Sequence, residues 1–354
     1  MRSLRTNKTL RTNVITYAVV VAAFVLFQAL GSAGVLSSTM KGQLVPICAY
    51  VLMALSLNLT VGILGELSLG HAGFMSVGAF AGAVTASAMQ DSVPSSALRL
   101  TVAVLVGAVL AAIVGVLIGI PVLRLNGDYL AIVTLAFGEI IKSIVNNLYI
   151  GMDVNGLHAS FLNNTIVLGE GGRMILSGPM GVPGIKKTAT FAAGFILILI
   201  ALFVIFNLVN SRAGRAIMAL RDNRIAAESV GINVTKYKLM AFVISAAIAG
   251  AGGALYGQAQ NAIIATKFDF NTSILILVFV VLGGMGNMLG SILAAALLTV
   301  LPELLRSLND YRMLIYAIVL ILMMLFNSAP AMIQWREQMT EKLRKKFGKE
   351  KKEG

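Results

Sequence analysis

Apolar residues dominate the chain in long runs that short polar connections separate. A helix needs about 20 apolar residues to cross a bilayer. Ten runs approach that length, at residues 14–35, 43–61, 67–89, 98–122, 129–150, 190–210, 238–258, 272–284, 289–305 and 312–329. The pattern predicts an all-α polytopic membrane protein with about 8–10 transmembrane helices within residues 14–329.

Two stretches carry glycines too closely spaced for simple spanning helices. The first, 58–82, contains Gly62, Gly65, Gly70, Gly73, Gly78 and Gly82, and the second, 272–305, contains Gly283, Gly284, Gly286 and Gly290. Irregular backbone at membrane depth is tolerated only where protein or water surrounds it. Both stretches are therefore expected to form broken or half-spanning segments around a protein-lined interior, and their pairing hints at an internal repeat.

Charge indicates the orientation of the chain. Only 12% of the 354 residues are charged, the net charge is +13, and the cations concentrate in residues 1–13, 211–237 and 330–354. An even number of crossings puts these three segments on one side, and the positive-inside rule makes that side the cytoplasm. This distribution favours a membrane, not nucleic acid, as the reason for the charge. Residues 151–189 then form the longest outside loop, in which short helical or irregular structure is expected.

The basic segment 211–237 is too apolar for a solvated linker. Ile217, Leu220, Ile225 and Val230 recur near helical spacing among charged residues that include Arg215 and Glu228. This predicts short amphipathic helices whose apolar face has no obvious burial place in the chain itself. Such a face docks in the groove of a cytosolic partner or lies on anionic lipid. The residues alone leave both alternatives open.

The same segment resembles the coupling loop of ATP-binding cassette importer permeases, whose motif is Glu-Ala-Ala, three residues and Gly. Ala226, Ala227 and Gly231 match this spacing, and Ile225 replaces the Glu. Three further stretches resemble, in the same order, the larger sister permease of branched-chain amino acid importers. They read LSLNLTVGILGELSLGHAGFMSVGAFAGA (55–83), GDYLAIVTLAFGEIIKSIVNNL (127–148) and VLGGMGNMLGSILAAALL (281–298).

The resemblance implies the permease subunit of an importer for leucine, isoleucine and valine in a bacterial plasma membrane, with both termini cytoplasmic. It implies a shorter sister permease, an extracytoplasmic binding protein and two cytosolic ATPases that use ATP and Mg. The ATPases are expected to engage Arg215, Ala226, Ala227, Glu228 and Gly231. No Walker A sequence is present, since Gly348-Lys349 is followed by Glu350, so we expect a transport subunit that is not an enzyme and binds no cofactor.

Two alternatives stay open at this stage. Urea and short-amide permeases share the same motifs. A stand-alone ion-coupled secondary transporter or channel is the alternative from another class, and it predicts a relay of ionisable residues within the membrane.

Polar residues inside the apolar runs are candidates for the translocation path. Glu139, Lys142 and Asn146 share one helical face, which would line the pore or contact the sister subunit; the alternative is a self-neutralised structural pair. A broken helix offers N–H groups to the carboxylate of an amino acid and carbonyl groups to its ammonium. The hypothesis places the path along Gly65, Gly70, His71, Glu139, Asn146, Gly283, Gly284, Gly286 and Asn287. His71 has a competing interpretation as part of a hydrogen-bonded turn cap. With two histidines and one cysteine, no metal site is expected.

Overall fold

A computed structural model describes most of the chain. The described residues are 2–34, 37–90, 92–125, 127–153, 156–163, 165–166, 168–169, 172–305 and 311–328. They fall into two compact units, residues 1–297 and 298–354. The predicted basic tail, 330–354, lies outside the described residues.

Twelve α-helices account for most of the described residues. They are α1 (Arg2–Ser32), α2 (Ser38–Asn58), α3 (His71–Ala88), α4 (Ser96–Val122), α5 (Asp128–Asn146), α6 (Phe191–Asn210), α7 (Arg212–Asp222), α8 (Arg224–Ser229), α9 (Val234–Ala259), α10 (Phe270–Gly283), α11 (Met288–Leu304) and α12 (Arg312–Ser328). A π-helical turn, Leu59–Leu64, extends α2. The ten long helices coincide with the ten apolar runs of the sequence.

Six helical stretches in the described part of the chain are long and apolar enough to cross a membrane. They are Asn13–Ser32, Ser38–Leu64, Ser96–Val122, Phe191–Asn210, Val234–Ala259 and Ala265–Gly283. Helices α3, α5, α11 and α12 are shorter or more polar. The predicted helical polytopic fold is confirmed, whereas the figure of about 8–10 crossings stays a prediction.

The centre of residues 1–297 is built from α3, α4 and α9, which approach each other through small residues. A Cβ on Gly107 of α4 would lie 2.9 Å from the carbonyl oxygen of Gly78 in α3, and one on Gly257 of α9 would lie 2.9 Å from that of Ala79. At these distances there is no room for a larger side chain between the two backbones, as in other packed membrane helices. His71 meets Ser245 and Gly82 meets Gln258, so α3 and α9 run in the same direction.

Both glycine-rich stretches interrupt their helices, as predicted. The first break, 65–70, separates the π-helical turn from α3 and begins at Gly65 with φ +82°. The second break, 284–287, separates α10 from α11 and contains Gly284 and Gly286, with φ +90° and +83°. Residues with a Cβ disfavour a positive φ, so these three glycines determine where the chain turns.

The expectation of short helical or irregular structure in residues 151–189 is confirmed in part, since the loop contains a 3-10 turn, Gly178–Met180, and irregular stretches. The sequence did not predict the sheet that the loop also contains. Strands β1 (Leu148–Asp153), β2 (Gly156–Phe161) and β3 (Arg173–Ser177) form an antiparallel sheet in the order β2-β1-β3. In β2 the exposed residues alternate with partly buried ones, which is the period of a strand with one covered face. The guanidinium of Arg173 donates to the carbonyl oxygen of Ser87, 2.6 Å away, and fastens the sheet to the end of α3.

Candidate functional site: segment 211–237 and the broken helices

Helix α7 is anchored within the protein. The Ser211 hydroxyl caps it by accepting the Gly214 N–H at 3.0 Å. Ile217 and Leu220 are buried, and α7 contacts the π-helical turn, α6 and α9. The expectation that the apolar face of this segment has no burial place was therefore wrong for α7. The residues that cover it are distant in sequence, so periodicity alone did not reveal them.

Arg221, at the end of α7, reaches the first break. Its Nη1 donates to the carbonyl oxygen of Gly62, in the last turn of the π-helical segment, at 2.9 Å. The final carbonyl groups of a helix have no partner within the helix, and a cation stabilises that end of the helix dipole. The stem of Arg221 lies against Gly65, where a Cβ would come within 3.2 Å of its Cδ. Helix α7 is thus joined to the residues on either side of the start of the break.

Asn58 joins the second break to the same turn. Its Oδ1 accepts the Gly286 N–H at 2.7 Å, and its Nδ2 donates to the Ser291 hydroxyl at 2.9 Å. A Cβ on Gly62 would lie 2.8 Å from the Gly286 Cα, so the two backbones are in close contact. The π-helical turn therefore connects α7, the first break and the second break.

A buried ion pair ties the first break to α9. Lys238 is paired with Glu66, and both side chains are largely buried. Charged groups are retained in such a place only when they are paired, because desolvation of either alone is costly. The pair fixes the first residue after Gly65 to the part of α9 that adjoins α7 and α8.

His71 is the centre of a buried hydroxyl network. Its Nε2 lies 2.8 Å from the Ser245 hydroxyl, and its Nδ1 lies 3.0 Å from the Ser68 hydroxyl. Ser245 also accepts from Thr60 at 2.8 Å. The His71 side chain is completely buried and both ring nitrogens have partners. The geometry resembles the hydrogen-bonded cap considered as the alternative, and a role of His71 in the path stays a prediction.

The starts of α3 and α10 meet beside α5. Gly70 precedes α3 and packs against the Thr134 backbone, and the Ala72 N–H donates to the Ser273 hydroxyl of α10 at 3.2 Å. A small cleft at this point is lined by Leu69, Ala72, Gly73, Leu135, Gly138, Glu139, Phe268, Asp269, Phe270 and Ser273. Of the predicted path residues, Glu139 lines this cleft, and Gly70 packs nearby against Thr134 and Gly138 of the same helix α5. Gly283, Gly284, Gly286 and Asn287 lie instead at the second break, and Asn146 lies at the far end of α5.

Sequence reasoning missed Asp269 and Ser273. Asp269 caps α10, because its Oδ1 accepts the Thr272 N–H at 3.0 Å. An Asp shortly before an apolar run is a known helix-start signal, so this residue was available from the sequence. Glu139 pairs with Lys142, and both side chains remain partly exposed. When the rest of the chain does not cover a charged pair in an apolar helix, the pair is expected to contact water or another subunit.

Helix α8 presents the predicted coupling residues differently from α7. Ala227 is buried, whereas Ile225 and Val230 are 81% and 75% exposed. Ala226, Glu228 and Gly231 are also exposed. Gly231 ends the helix with φ +85°, and the Ile232 N–H donates to the Ala227 carbonyl oxygen at 3.1 Å, which is a glycine-dependent helix end. Arg215 lies on the exposed side of α7 and donates to the Asn210 carbonyl oxygen at 3.2 Å.

Comparison with known proteins identifies the family. The family model described as "Branched-chain amino acid transport system / permease component" matches residues 39–325. The chain belongs to this permease family. The match covers the central helices, both breaks and segment 211–237, so it includes every element of the site described above.

Individual relatives agree with the family match. The chain is 37% identical over 302 residues to the high-affinity branched-chain amino acid transport system permease protein LivM of Salmonella typhimurium, covering 82% of this chain and 69% of that protein. The LivM of Escherichia coli gives the same identity and coverage. The nucleoside ABC transporter permease protein NupC of Lactococcus lactis is 25% identical over 207 residues, 55% of this chain and 59% of that protein. No solved structure matches the chain.

Membership of the family makes this chain a transport subunit and a multi-pass membrane protein. Within the part of the chain that the structure describes, no group of three or more His, Cys, Asp or Glu side chains is placed to hold a metal ion. The described part of the permease thus offers packed helices, two breaks and the exposed helix α8.

Proposed function

We propose that this permease moves leucine, isoleucine and valine through the plasma membrane as the larger of two sister permeases in an ATP-driven importer. Both termini and segment 211–237 face the cytoplasm, where two ATPases supply the energy, and a binding protein delivers the amino acid from the opposite side. The 37% identity to two LivM proteins supports the solute class.

The observation that carries the coupling role is the division of labour within segment 211–237. Helix α7 is packed into the permease and reaches the first break through Arg221, whereas Ile225 of α8 and Val230, directly after it, are exposed. An exposed apolar pair on a short helix fits the groove of a partner protein. Movement of the ATPases is thereby applied to α8, transmitted through α7 and delivered to the π-helical turn.

The coupling role predicts a separation between binding of the ATPases and folding of the permease. Changing Ile225 and Val230 to Asp removes the exposed apolar pair while leaving the buried Ile217 and Leu220 in place. We expect the double variant to lose the ATPases in affinity purification from membranes and to lose uptake of radiolabelled leucine. The control is Leu157→Asp, a residue on the sheet that is also apolar and is 58% exposed. Retention of both ATPases by the double variant, with normal uptake, would contradict the proposal and favour a lipid-bound surface helix.

We propose that the amino acid passes the first and second breaks and the Glu139–Lys142 face of α5. Interrupted helices offer backbone N–H and carbonyl groups to the two charges of a zwitterion when a rearrangement frees those groups. The partly exposed pair on α5 supports a position beside the sister permease or the path. Asn146 and Asn287 belong to the same proposal, at the end of α5 and in the second break.

Glycine-to-leucine substitutions test the path. Leucine at Gly70 meets the Thr134 backbone, and leucine at Gly65, Gly284 or Gly286 meets a positive φ. Each is expected to abolish uptake in vesicles that still hold the assembled complex. Gly42→Leu is the control, since a Cβ there has nothing within 4 Å. Normal uptake by all four variants would refute the proposed path, and a stand-alone carrier would be indicated by uptake that a proton gradient drives without ATP.

A further inference from the structure

Arg99 is a buried cation without a counter-ion among its described neighbours. It lies in the first turn of α4, its residue is only 8% exposed, and its Nε has no hydrogen-bond partner. Its Nη2 makes one long contact, 3.4 Å, to the Ser96 hydroxyl. A guanidinium stays charged at any physiological pH, so burial of an unpaired one is strongly unfavourable.

The neighbourhood of Arg99 adds positive potential. Arg99 lines a small cavity of about 10 Å³. The other lining residues are Ala86, Ser87, Gln90, Ile185, Lys186, Thr188 and Gln258. None of these lining residues is acidic. Lys186 is a second cation, and the start of α4, capped by Ser95, adds the positive end of a helix dipole. The Thr188 hydroxyl donates to Gln258 Oε1, and Gln258 Nε2 donates to the Gly82 carbonyl oxygen, so this wall of the cavity is held in place.

The chemistry therefore calls for an anionic oxygen. The cavity has room for about one water-sized atom, which suits a single oxygen of a larger group that remains outside. Arginine and lysine together bind phosphate oxygens through charge-assisted hydrogen bonds.

The surroundings favour a lipid as the source of that oxygen. Arg99 is the fourth residue of the candidate membrane span Ser96–Val122, which places it within about 5 Å of the end of the span, at headgroup level. The face of α4 next to that of Arg99 is apolar and exposed, since it presents Leu98, Leu105 and Val109. An acyl chain running along that face of α4 would bring its phosphodiester to Arg99 and Lys186.

We propose that Arg99 and Lys186 form a binding site for the phosphodiester of a membrane phospholipid, at the end of the permease opposite segment 211–237. The bound phosphate supplies the missing counter-charge of Arg99 and holds α4 against α3 and α9. This site is independent of the solute and of the ATPases.

Native mass spectrometry of the purified full-length chain in detergent tests the site. Phosphatidylglycerol is the probe, and diacylglycerol, which lacks the phosphate, is the comparison. We expect the wild type to retain phosphatidylglycerol and not diacylglycerol, and Arg99→Gln to bind it about tenfold more weakly, as for loss of one charge-assisted hydrogen bond. The control Lys187→Gln removes an exposed cation that does not line the cavity, and it should bind like the wild type. Equal retention by Arg99→Gln and the wild type overturns the proposal.

Thermal unfolding supplies a second readout that distinguishes other counter-ions. In lipid-free detergent, Arg99→Gln should melt higher than the wild type, because the unpaired buried charge is gone. Added phosphatidylglycerol should stabilise the wild type and not the variant, since only the wild type binds it. Displacement of the lipid by millimolar inorganic phosphate would overturn a lipid source. Asp91 follows Gln90 in the sequence and lies outside the described residues. If the Asp91→Asn change lowers the melting temperature and lipid removal does not, Asp91 is the counter-ion of Arg99 and the proposal fails.

Discussion

The contact between Arg221 and Gly62 makes a quantitative prediction about coupling. Arg221→Met removes the donor to the Gly62 carbonyl oxygen, 2.9 Å from Nη1, but keeps an apolar stem over Gly65. A hydrogen bond from a charged group contributes about 1.5–3 kcal/mol. Because the Arg221 side chain is 40% exposed and also contacts Asp222, solvent screening reduces this contribution to about 1–1.5 kcal/mol. That free energy is the link between the position of α7 and the position of the first break.

Loss of the link should lower transport without lowering ATP hydrolysis. A coupling free energy of about 1–1.5 kcal/mol corresponds to a change of about five- to tenfold. Proteoliposomes holding the complete importer would give leucine uptake and ATP hydrolysis in the same sample. We expect the ratio of leucine moved to ATP hydrolysed to fall by about that factor in Arg221→Met.

The control for this experiment lies on the same helix. Arg212→Met makes the same chemical change at an exposed position at the start of α7, and it should leave the ratio unchanged. An unchanged ratio in Arg221→Met would refute the reasoning, as would an equal fall in both variants. A variant that no longer retains the ATPases would show that Arg221 acts in docking instead of in transmission.

Three further predictions concern the residues that hold the breaks in place. Gly70→Ala should abolish uptake, because a Cβ on Gly70 lies 2.9 Å from the Thr134 carbonyl carbon. Gly42→Ala should not, because a Cβ there has nothing within 4 Å. Uptake by vesicles with matched permease content checks both expectations. Asn58→Leu should destabilise the purified chain by about 1–3 kcal/mol, since the Gly286 N–H and the Ser291 hydroxyl lose their partner, and an unshifted denaturation midpoint would contradict it. Glu66→Gln should destabilise by up to about 3–5 kcal/mol because it leaves the Lys238 ammonium buried and unpaired. The double change Glu66→Gln with Lys238→Met should recover much of that loss, and a double variant no more stable than Glu66→Gln would refute the ion-pair explanation.

The sequence predicted the long helices because the length of an apolar run is a local property. The breaks were also predictable, since Gly65, Gly284 and Gly286 mark backbone that only glycine adopts readily. Burial of Ile217 and Leu220 was not predictable, because their partners in the π-helical turn are more than 150 residues away in sequence. The same holds for Arg221 with Gly62 and for Asn58 with Gly286. Periodicity gives one face of a helix, and only the tertiary structure gives what covers it.

The sheet was missed for a different reason. Residues 148–177 are rich in glycine and polar side chains, which resembles an irregular loop. The alternation in β2 spans only six residues, Gly156–Phe161, which is too short to outweigh that composition. The capping signal of Asp269 is local but weak, because the polar residues Asn271, Thr272 and Ser273 separate it from the apolar run that begins at Ile274.

The sheet has a mechanical consequence at the end of the molecule away from segment 211–237. Only Asn147 separates the last residue of α5 from the first residue of β1, and Arg173 clamps β3 onto the carbonyl of Ser87. Because only one residue intervenes, we expect a rotation of α5 about its axis to be transmitted to the sheet and a load on the sheet to be transmitted to α5. A protein bound to the sheet is therefore expected to act on the Glu139–Lys142 pair through α5, without direct contact with the pair.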